Sequence, residues 1–234
     1  NCLDLTKFTG AKTVTYGINN TNTDYYAQKL VCDNKGCYQF EVYKNDKYYG
    51  IFKLSVPGLH NVLNALSCIA LCDNYGIASE HIKNALFKFT GANRRFDYIG
   101  SYNGIDVYDD YAHHPTEIKA LAKAVKNTAH NTSWAIFQSH TYSRTQLLLD
   151  EFADALQDFD NIIITDIYAA REINECGITP QHLVEKLKNL GKQATYIGPF
   201  EEIANYIKTN AQQNDIVLTI GAGTITNLGK MIIK

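Results

Sequence analysis

The second half of the chain alternates short apolar runs with amphipathic helical segments, and few folds accommodate that order. The apolar runs lie at 134–137, 161–165, 194–197 and 215–220, and the helical patterns at 115–130, 145–159, 180–190, 201–209 and 225–233. Parallel strands need such helical crossovers, which cover both faces of the sheet. The alternation therefore predicts an α/β domain built on a mostly parallel sheet. A hairpin around Asn103 and Gly104 precedes it, because these residues favour a tight turn.

The first half of the chain has a different periodicity. It predicts strands at 13–16, 36–43 and 48–54 and helices at 59–75 and 79–89. Ser79 is the predicted cap of the second helix. A short basic connector at 91–96 separates the two periodicities. We therefore expect two domains, residues 1–96 and residues 97–234.

The composition excludes several classes of protein. With 22 basic and 24 acidic residues the 234-residue chain has a formal charge of −2, so nothing favours a nucleic-acid or membrane partner. No apolar run is long enough to cross a bilayer. The six cysteines include no CxxC pair, as is typical of the reduced cysteines of a cytoplasmic protein. The chain begins on Asn1 in what resembles mid-domain sequence, and we expect it to be a fragment.

Polar clusters follow directly after four of the predicted strands. They comprise residues 109–114, 138–145, 166–172 and 221–224. The carboxyl ends of parallel strands meet at one edge of a sheet, where open α/β proteins bind ligands. A single polar loop is usually only solvated, but four such loops on one edge predict a functional rim.

The segment 109–117 is the richest of these clusters. It brings two carboxylates, a phenol and two imidazoles to one strand-to-helix junction, and Pro115 suits a first helical turn. Binding of a divalent metal is an alternative role for these carboxylates and imidazoles. Adjacent side chains point apart, so Asp110 and one histidine are the candidates, while a turn residue is the alternative for Asp109.

Two other rim segments carry recognisable chemistry. Arg144 follows a strand and precedes a helix, where its guanidinium would pair with a substrate carboxylate or form an ordinary surface ion pair. Gly221, Ala222 and Gly223 offer backbone amides to a ligand, but a tight strand-to-helix turn needs the same glycines.

The first half and the connector add weaker candidates. His60, Asn61 and Asn64 open a predicted helix, where amide side chains either cap the helix or bind a ligand. Arg94 and Arg95 are either solvated hinge charges or phosphate ligands. Their spacing alone does not decide between these roles.

Six motifs, taken in order, give the chain a family resemblance. They are GLHNVLNAL at 58–66, RRF at 94–96, DDYAHHPTE at 109–117, FQSHTYSRT at 137–145, DIYAARE at 166–172 and GAG at 221–223. From about Val56 to its end the chain resembles the Mur ligase family. The most specific of the six motifs are DDYAHHPTE and DIYAARE. Ser139 stands where this family commonly has proline, and we expect that change to be harmless.

The resemblance implies a three-domain enzyme of which this chain holds two parts. These are the last part of the central ATPase domain and the whole Rossmann-like third domain. The implied activity is ligation of L-alanine to the carboxylate of UDP-N-acetylmuramate, through an acyl phosphate, in peptidoglycan synthesis. ATP and Mg²⁺ are the implied cofactors, with the metal ligands expected mainly outside this chain. The family's GTHGKT loop does not occur here, so we expect the chain alone to be inactive.

Matching motifs carry the family's functional residues onto this sequence. The resemblance assigns nucleotide binding to His60, Asn61, Asn64, Arg95 and Asp110. It assigns L-alanine binding to Tyr111, His113, Arg144 and Ala222. Arg95, near the phosphates, and His113, near the attacking amine, would be the catalytic residues. Arg144 would take the alanine carboxylate and Asp110 the ribose.

Three other functions remain open at this point. Within the family, a recycling ligase attaches a whole peptide to the same sugar, although TYSRT and DIYAARE favour the single amino acid. The chain could instead be a non-catalytic Rossmann-like binding module. A small metal-dependent hydrolase centred on the Asp and His cluster is the third alternative. Oligomeric state is not readable from the sequence.

Overall fold

The computed structural model describes residues 10–234, and the chain divides into two compact units, Asn1–Thr90 and Gly91–Lys234. Each unit has its own hydrophobic core and is described on its own. The connector at 91–96 belongs to the second unit. The boundary between 96 and 97 stays a prediction about the family's domains.

The first unit is a four-stranded sheet with two helices. Its elements are β1 (Tyr16–Ile18), β2 (Tyr25–Cys32), β3 (Cys37–Lys44), β4 (Lys47–Pro57), α1 (Leu59–Asn74) and α2 (Ser79–Lys88). The strands lie in the order of the chain, with β1 parallel to β2 and the others antiparallel. Alternate residues of the strands pack on α1 to form the core, which includes Phe40, Val42, Phe52, Leu54, Val62, Leu66 and Ile69.

Three predictions for this unit are wrong in detail. The strand predicted at 13–16 begins only at Tyr16, and the pattern predicts no separate strand for β2. A bulge between Gln28 and Val31, with Lys29 in a left-handed conformation, breaks the alternation that would have marked β2. Ser79 is the first residue of α2, and its cap position is taken by Ala78 without a side-chain hydrogen bond.

The carboxylate of Asp73, in the last turn of α1, joins this helix to three strands. It accepts hydrogen bonds from the Tyr25 hydroxyl at 2.5 Å, the Tyr49 hydroxyl at 3.0 Å and the Lys44 ammonium at 2.5 Å. Burial alone would raise the pKa of Asp73, but these three donors lower it below the ordinary value. The network therefore depends on an ionised carboxylate at the helix end.

We predict that Asp73→Ala lowers the free energy of unfolding by about 2–4 kcal/mol, because it leaves the phenols of Tyr25 and Tyr49 without their acceptor. Urea denaturation followed by circular dichroism measures this loss. The control is Glu80→Ala, which removes an exposed ion pair with Lys83 and should cost less than about 0.5 kcal/mol. Equal losses in the two variants would contradict a stabilising role for the network.

The second unit confirms the predicted α/β fold with a mostly parallel sheet. Its elements are β5 (Asp97–Tyr102), β6 (Ile105–Asp110), α3 (Pro115–Lys126), β7 (Ser133–Phe137), α4 (Tyr142–Leu147), α5 (Leu149–Leu156), β8 (Asn161–Ile164), α6 (Pro180–Asn189), β9 (Gln193–Tyr196), α7 (Phe200–Asn210), β10 (Ile216–Ile220) and α8 (Thr226–Ile232). The strand order is β5-β6-β10-β7-β8-β9, and only β5 runs antiparallel to its neighbour.

Helices cover both faces of this sheet. Strand β7 is buried along its whole length, so its side chains alternate between two cores. Ala135 and Phe137 pack with residues of α3, α5 and α6, while Trp134 and Ile136 pack with residues of α7 and α8. No helix in the described part of the chain is long and apolar enough to span a membrane.

Two helix predictions need correction in this unit. The segment predicted as one helix at 145–159 forms α4 and α5, which meet at Leu148, where φ is −112° and ψ is 24°. The helix predicted at 115–130 ends at Lys126. At both places the helical spacing of apolar residues continues along the sequence, but the backbone leaves the helical conformation.

The last strand in the chain lies inside the sheet. The crossovers lead from β6 to β7, β8 and β9 in one direction, and α7 then returns the chain so that β10 inserts between β6 and β7. This reversal makes a topological switch point at the carboxyl ends of β6, β10 and β7. Their last residues are in register, with Asp110 opposite Ile220 and Ile220 opposite Phe137.

Candidate functional site

The switch point gathers the four polar clusters at one edge of the sheet. Because Asp110, Ile220, Phe137 and Ile164 are aligned across four parallel strands, the loops that follow them leave the sheet side by side. Tyr168 extends this alignment with a bridge to His140. The candidate site is therefore the rim formed by these loops.

Asp109 is a buried structural residue of β6, and its interpretation as a turn residue is wrong. Its carboxylate is 0% exposed and accepts hydrogen bonds from Arg94 Nε at 2.9 Å, the Thr219 hydroxyl at 2.7 Å and the Thr226 hydroxyl at 2.9 Å. Arg94 Nη2 also donates to the carbonyl of Gly221 at 2.6 Å. The pair therefore ties the connector to β6 and to the end of β10.

Arg95 differs from its neighbour in both exposure and contacts. Half of its side chain is exposed, and Nη1 lies 3.4 Å from Glu117 Oε1. The guanidinium groups of Arg94 and Arg95 lie 4.7 and 5.8 Å from the centre of the Tyr111 ring. Of the two arginines, Arg95 is the one whose charge faces solvent and remains available to an anionic ligand.

We predict opposite outcomes for truncation of the two arginines. Arg94→Ala leaves the buried carboxylate of Asp109 unpaired and should lower the free energy of unfolding by about 3–5 kcal/mol. Arg95→Ala removes a solvated charge and should cost less than about 1 kcal/mol. Chemical denaturation of both variants measures the difference, and a similar loss in the two would contradict the assignment of Arg94 to structure.

Asp110 is held by the backbone on both sides of the rim. Its two carboxylate oxygens accept hydrogen bonds from the amides of Phe96 and Ala112, each at 2.7 Å. Burial raises the pKa of Asp110 above the ordinary value, against the effect of these two donors and of Arg95. Asp110 thus shapes the connector and the loop before α3. Its contact with a ribose stays a prediction.

Glu117 organises the loop that carries His113. Its Oε2 accepts hydrogen bonds from the amides of His113 at 3.0 Å and His114 at 3.2 Å, so the carboxylate caps the start of α3. Burial alone would raise the pKa of Glu117, but the His113 amide and the nearby His113 and Arg95 side chains lower it. The His113 ring lies beside Tyr111, with Nδ1 3.0 Å from the Tyr111 carbonyl oxygen.

Three aromatic rings line the rim beside an unpaired arginine. The His140 ring stacks on Tyr168 at 5.4 Å and meets the His113 ring edge-on at 6.4 Å. Among the described residues, His140 Nδ1 is buried without a hydrogen-bond partner, and the half-buried Arg144 guanidinium has neither a hydrogen bond nor an ion pair. Burial and the neighbouring Arg144 and His113 lower the pKa of His140, so its imidazole is neutral at neutral pH.

Packing accounts for the glycines after β10. A Cβ on Gly221, whose φ is 144°, would lie 2.4 Å from the carbonyl oxygen of Gln138, and one on Gly223 would lie 2.5 Å from Gln138 Oε1. Gln138 Oε1 also accepts a hydrogen bond from the amide of Ile225 at 3.0 Å. The tight turn thus requires both glycines, and a ligand contact at Ala222 stays a prediction.

The remaining predicted residues lie in the first unit, at the start of α1. His60 and Asn64 are exposed, and Asn61 is half-buried. The Asn61 amide donates to the carbonyl of Pro57 at 2.8 Å and accepts from the Asn64 amide at 3.1 Å. Asn61 therefore supports the helix start, and nucleotide binding by these three residues stays a prediction.

The carboxylates and imidazoles of the described residues do not gather into a cluster of metal ligands. Within residues 10–234, no group of three or more His, Cys, Asp or Glu side chains could hold a metal ion. Asp109 is fully engaged by three protein donors, and both oxygens of Asp110 already accept backbone hydrogen bonds. A metal would need ligands that these residues do not supply.

Sequence reasoning did not select four residues of this rim. They are Gln138, His140, Tyr168 and Glu172. All four lie in the polar clusters that follow the strands, so the sequence placed them at the predicted rim. Their roles depend on contacts with other loops, which no local pattern encodes.

Fold and rim together define a doubly wound α/β domain with a candidate ligand site at its switch point. Residues 94–223 match the Mur ligase glutamate ligase domain, and residues 1–72 match the Mur ligase middle domain. The chain belongs to the Mur ligase family, as its six motifs predicted.

Named proteins that are similar to this chain belong to the same family. UDP-N-acetylmuramate–L-alanine ligase of Caldanaerobacter subterraneus subsp. tengcongensis is 46% identical over 221 residues, which are 94% of this chain and 48% of that protein. The crystal structure of UDP-N-acetylmuramate-alanine ligase MurC from Thermotoga maritima is 32% identical with a TM-score of 0.79, over 94% of this chain and 47% of that one.

A murein peptide ligase is also similar. The enzyme from Psychrobacter arcticus is 25% identical with a TM-score of 0.67, over 97% of this chain and 47% of its own. The chain spans about half the length of these relatives.

Proposed function

We propose that this chain is the amino-acid-binding part of a UDP-N-acetylmuramate–L-alanine ligase, an ATP-dependent cytoplasmic enzyme of peptidoglycan synthesis. The observation that carries the proposal is the guanidinium of Arg144. It is half-buried, has no partner among the described residues, and lies beside His140 and His113 at the sheet's switch point. A cation kept unpaired in such a place suits the carboxylate of a small amino acid.

The proposed reaction joins an activated sugar carboxylate to a neutral amine. ATP transfers its γ-phosphoryl group to the sugar carboxylate, which gives an acyl phosphate and ADP. The amine of L-alanine then attacks the acyl carbon and displaces phosphate to form the amide. An ammonium has no lone pair, so the bound amine must lose a proton before attack. Magnesium, when bound elsewhere in the enzyme, would neutralise phosphate charge.

The residues of this chain divide these tasks. Arg144 holds the alanine carboxylate through two parallel hydrogen bonds, and Tyr111 and Ala222 enclose the small side chain. His113, whose backbone is held by Glu117, lies beside the amine and accepts its proton. Arg95 stabilises phosphate charge, and Asp110 contacts the ribose. His60, Asn61 and Asn64 serve the adenine side of the nucleotide.

The recycling ligase is the second candidate. Its similarity is lower in both identity and TM-score, 25% and 0.67 against 32% and 0.79 for the alanine ligase. The rim motifs TYSRT and DIYAARE also favour a single amino acid. A non-catalytic binding module is compatible with the fold and would use Arg144 in the same way, but the similar proteins are ligases.

ADP release by the full-length protein tests the proposal. The assay supplies ATP, magnesium and UDP-N-acetylmuramate, with L-alanine or a tripeptide offered separately. We expect release that depends on L-alanine. Release with the tripeptide alone would assign the recycling reaction, and no release with either would favour the binding module.

We predict that Arg144→Ala raises the KM for L-alanine about 100-fold, because the carboxylate loses a bidentate charged partner worth about 3 kcal/mol. The KM for ATP should change less than twofold. Arg144→Lys is the matched control, since it keeps the charge but loses the planar fork, and its effect should be intermediate. Equal increases in both KM values would remove the carboxylate role from Arg144.

A further inference from the structure

The loop after β8 reaches over to the loop after β7 through one carboxylate. Glu172 accepts hydrogen bonds from the Thr141 hydroxyl at 2.6 Å, the Ser143 hydroxyl at 2.5 Å and the Ser143 amide at 2.9 Å. Thr141 is the cap residue of α4, but its own side chain makes no capping bond to the helix. Glu172, from another loop, therefore caps the start of this helix in place of the Thr141 side chain.

A second contact joins the same two loops on the other side of Thr141. The amide of Tyr168 donates to the carbonyl of Ser139 at 2.9 Å, and the Tyr168 ring stacks on His140. The loop after β8 thus holds residues 139 to 143 from both ends.

Helix α4 depends on this support because it is short. It spans only Tyr142–Leu147 and ends at Leu148, and a helix of this length is not stable alone. Thr141 begins the first turn of α4. Its carbonyl oxygen accepts hydrogen bonds from the Thr145 amide at 3.0 Å and from the Thr145 hydroxyl at 2.5 Å. Arg144 lies inside this turn, so the direction of its guanidinium follows the position of Thr141 and Ser143.

We propose that Glu172 is a positioning residue for the amino-acid substrate: it holds the first turn of α4 and thereby directs Arg144 toward the substrate carboxylate. This inference rests on the proposed function. Glu172 itself does not touch the substrate, and its effect on binding passes through Thr141, Ser143 and the helix they begin.

The charge state of Glu172 agrees with this role. The hydrogen bonds from Ser143 and Thr141 lower the pKa of Glu172 to about 2. A carboxyl with a lowered pKa stabilises the fold above its unfolded value of 4.5 and loses that effect as the pH falls toward the folded value. The carboxylate is therefore ionised at neutral pH.

A purely electrostatic role and a positioning role for Glu172 predict opposite changes in the KM for L-alanine when its charge is removed. Glu172 is close enough to act on His140 through its charge. If charge were its only effect, Glu172→Gln would remove a repulsion and lower the KM for a substrate carboxylate. If Glu172 positions Arg144, the same substitution weakens the hydrogen bonds that hold the first turn of α4 and raises that KM.

The test compares KM values of the full-length enzyme and its Glu172→Gln variant. We expect the KM for L-alanine to rise about tenfold, because small misplacements of a positioning group have effects of this size. The KM values for ATP and UDP-N-acetylmuramate should stay within twofold. Glu175→Gln, an exposed carboxylate in the same loop, is the matched control and should leave all three unchanged. An unchanged or lowered KM for L-alanine in Glu172→Gln would overturn the proposal, as would equal increases for all substrates.

A second pair of variants keeps the test decisive if Glu172→Gln does not fold. Thr141→Val removes one donor to Glu172 while keeping the shape of the side chain, and it should raise the KM for L-alanine selectively. Thr141→Ser retains the hydroxyl and should restore the wild-type value. No difference between the valine and serine variants would overturn the role of this contact.

The outcomes separate this inference from the proposed function. ADP release by the wild-type enzyme that does not depend on L-alanine would overturn both. Release that depends on L-alanine, with an unchanged KM in Glu172→Gln and Thr141→Val, would overturn only the positioning role.

Discussion

The buried ion pair between Arg94 and Asp109 is the interaction on which the rim depends. A fully buried carboxylate is costly unless charged and polar donors satisfy it, and Asp109 has three of them. These donors come from the connector, from β10 and from α8. Satisfying one carboxylate therefore joins the connector and β6 to residues more than 100 positions later in the chain, and the loops of the switch point lie around it.

Other polar side chains of the rim are also satisfied by donors from the loops around them, but these donors are mainly uncharged backbone amides. Asp110, Glu117 and Gln138 accept hydrogen bonds from backbone amides through their side-chain oxygens, so all three shape the loops of the rim. Arg144 and the Nδ1 atom of His140 are left unsatisfied among the described residues. A native fold rarely leaves buried polar groups unpaired, and that contrast makes Arg144 and His140 candidates for contact with a substrate.

The α/β class of the second unit was predictable because it follows from hydrophobic periodicity and crossover geometry alone. The failures have local causes. The bulge at Lys29 hid β2, and a single non-helical residue, Leu148, divided one predicted helix into two. The motifs pointed to loops that the structure brings to one edge of the sheet. The resemblance selected Arg95, whereas spacing alone did not separate it from Arg94, which is the arginine that pairs with the buried Asp109. The role of Glu172 was not readable from the sequence, since its partners lie 29 and 31 residues away.

The position of β10 has a consequence for how such a chain is made. Synthesis runs from the amino terminus, so β6 and β7 are complete long before the strand that must lie between them. Until β10 arrives, each of those strands has an open edge of unpaired backbone groups, which can pair with other chains. The rim cannot assemble in that interval, because Thr219, Gly221 and Thr226 are still absent. A nascent chain of this kind completes the rim in one late step, and a product truncated before residue 216 keeps two open strand edges.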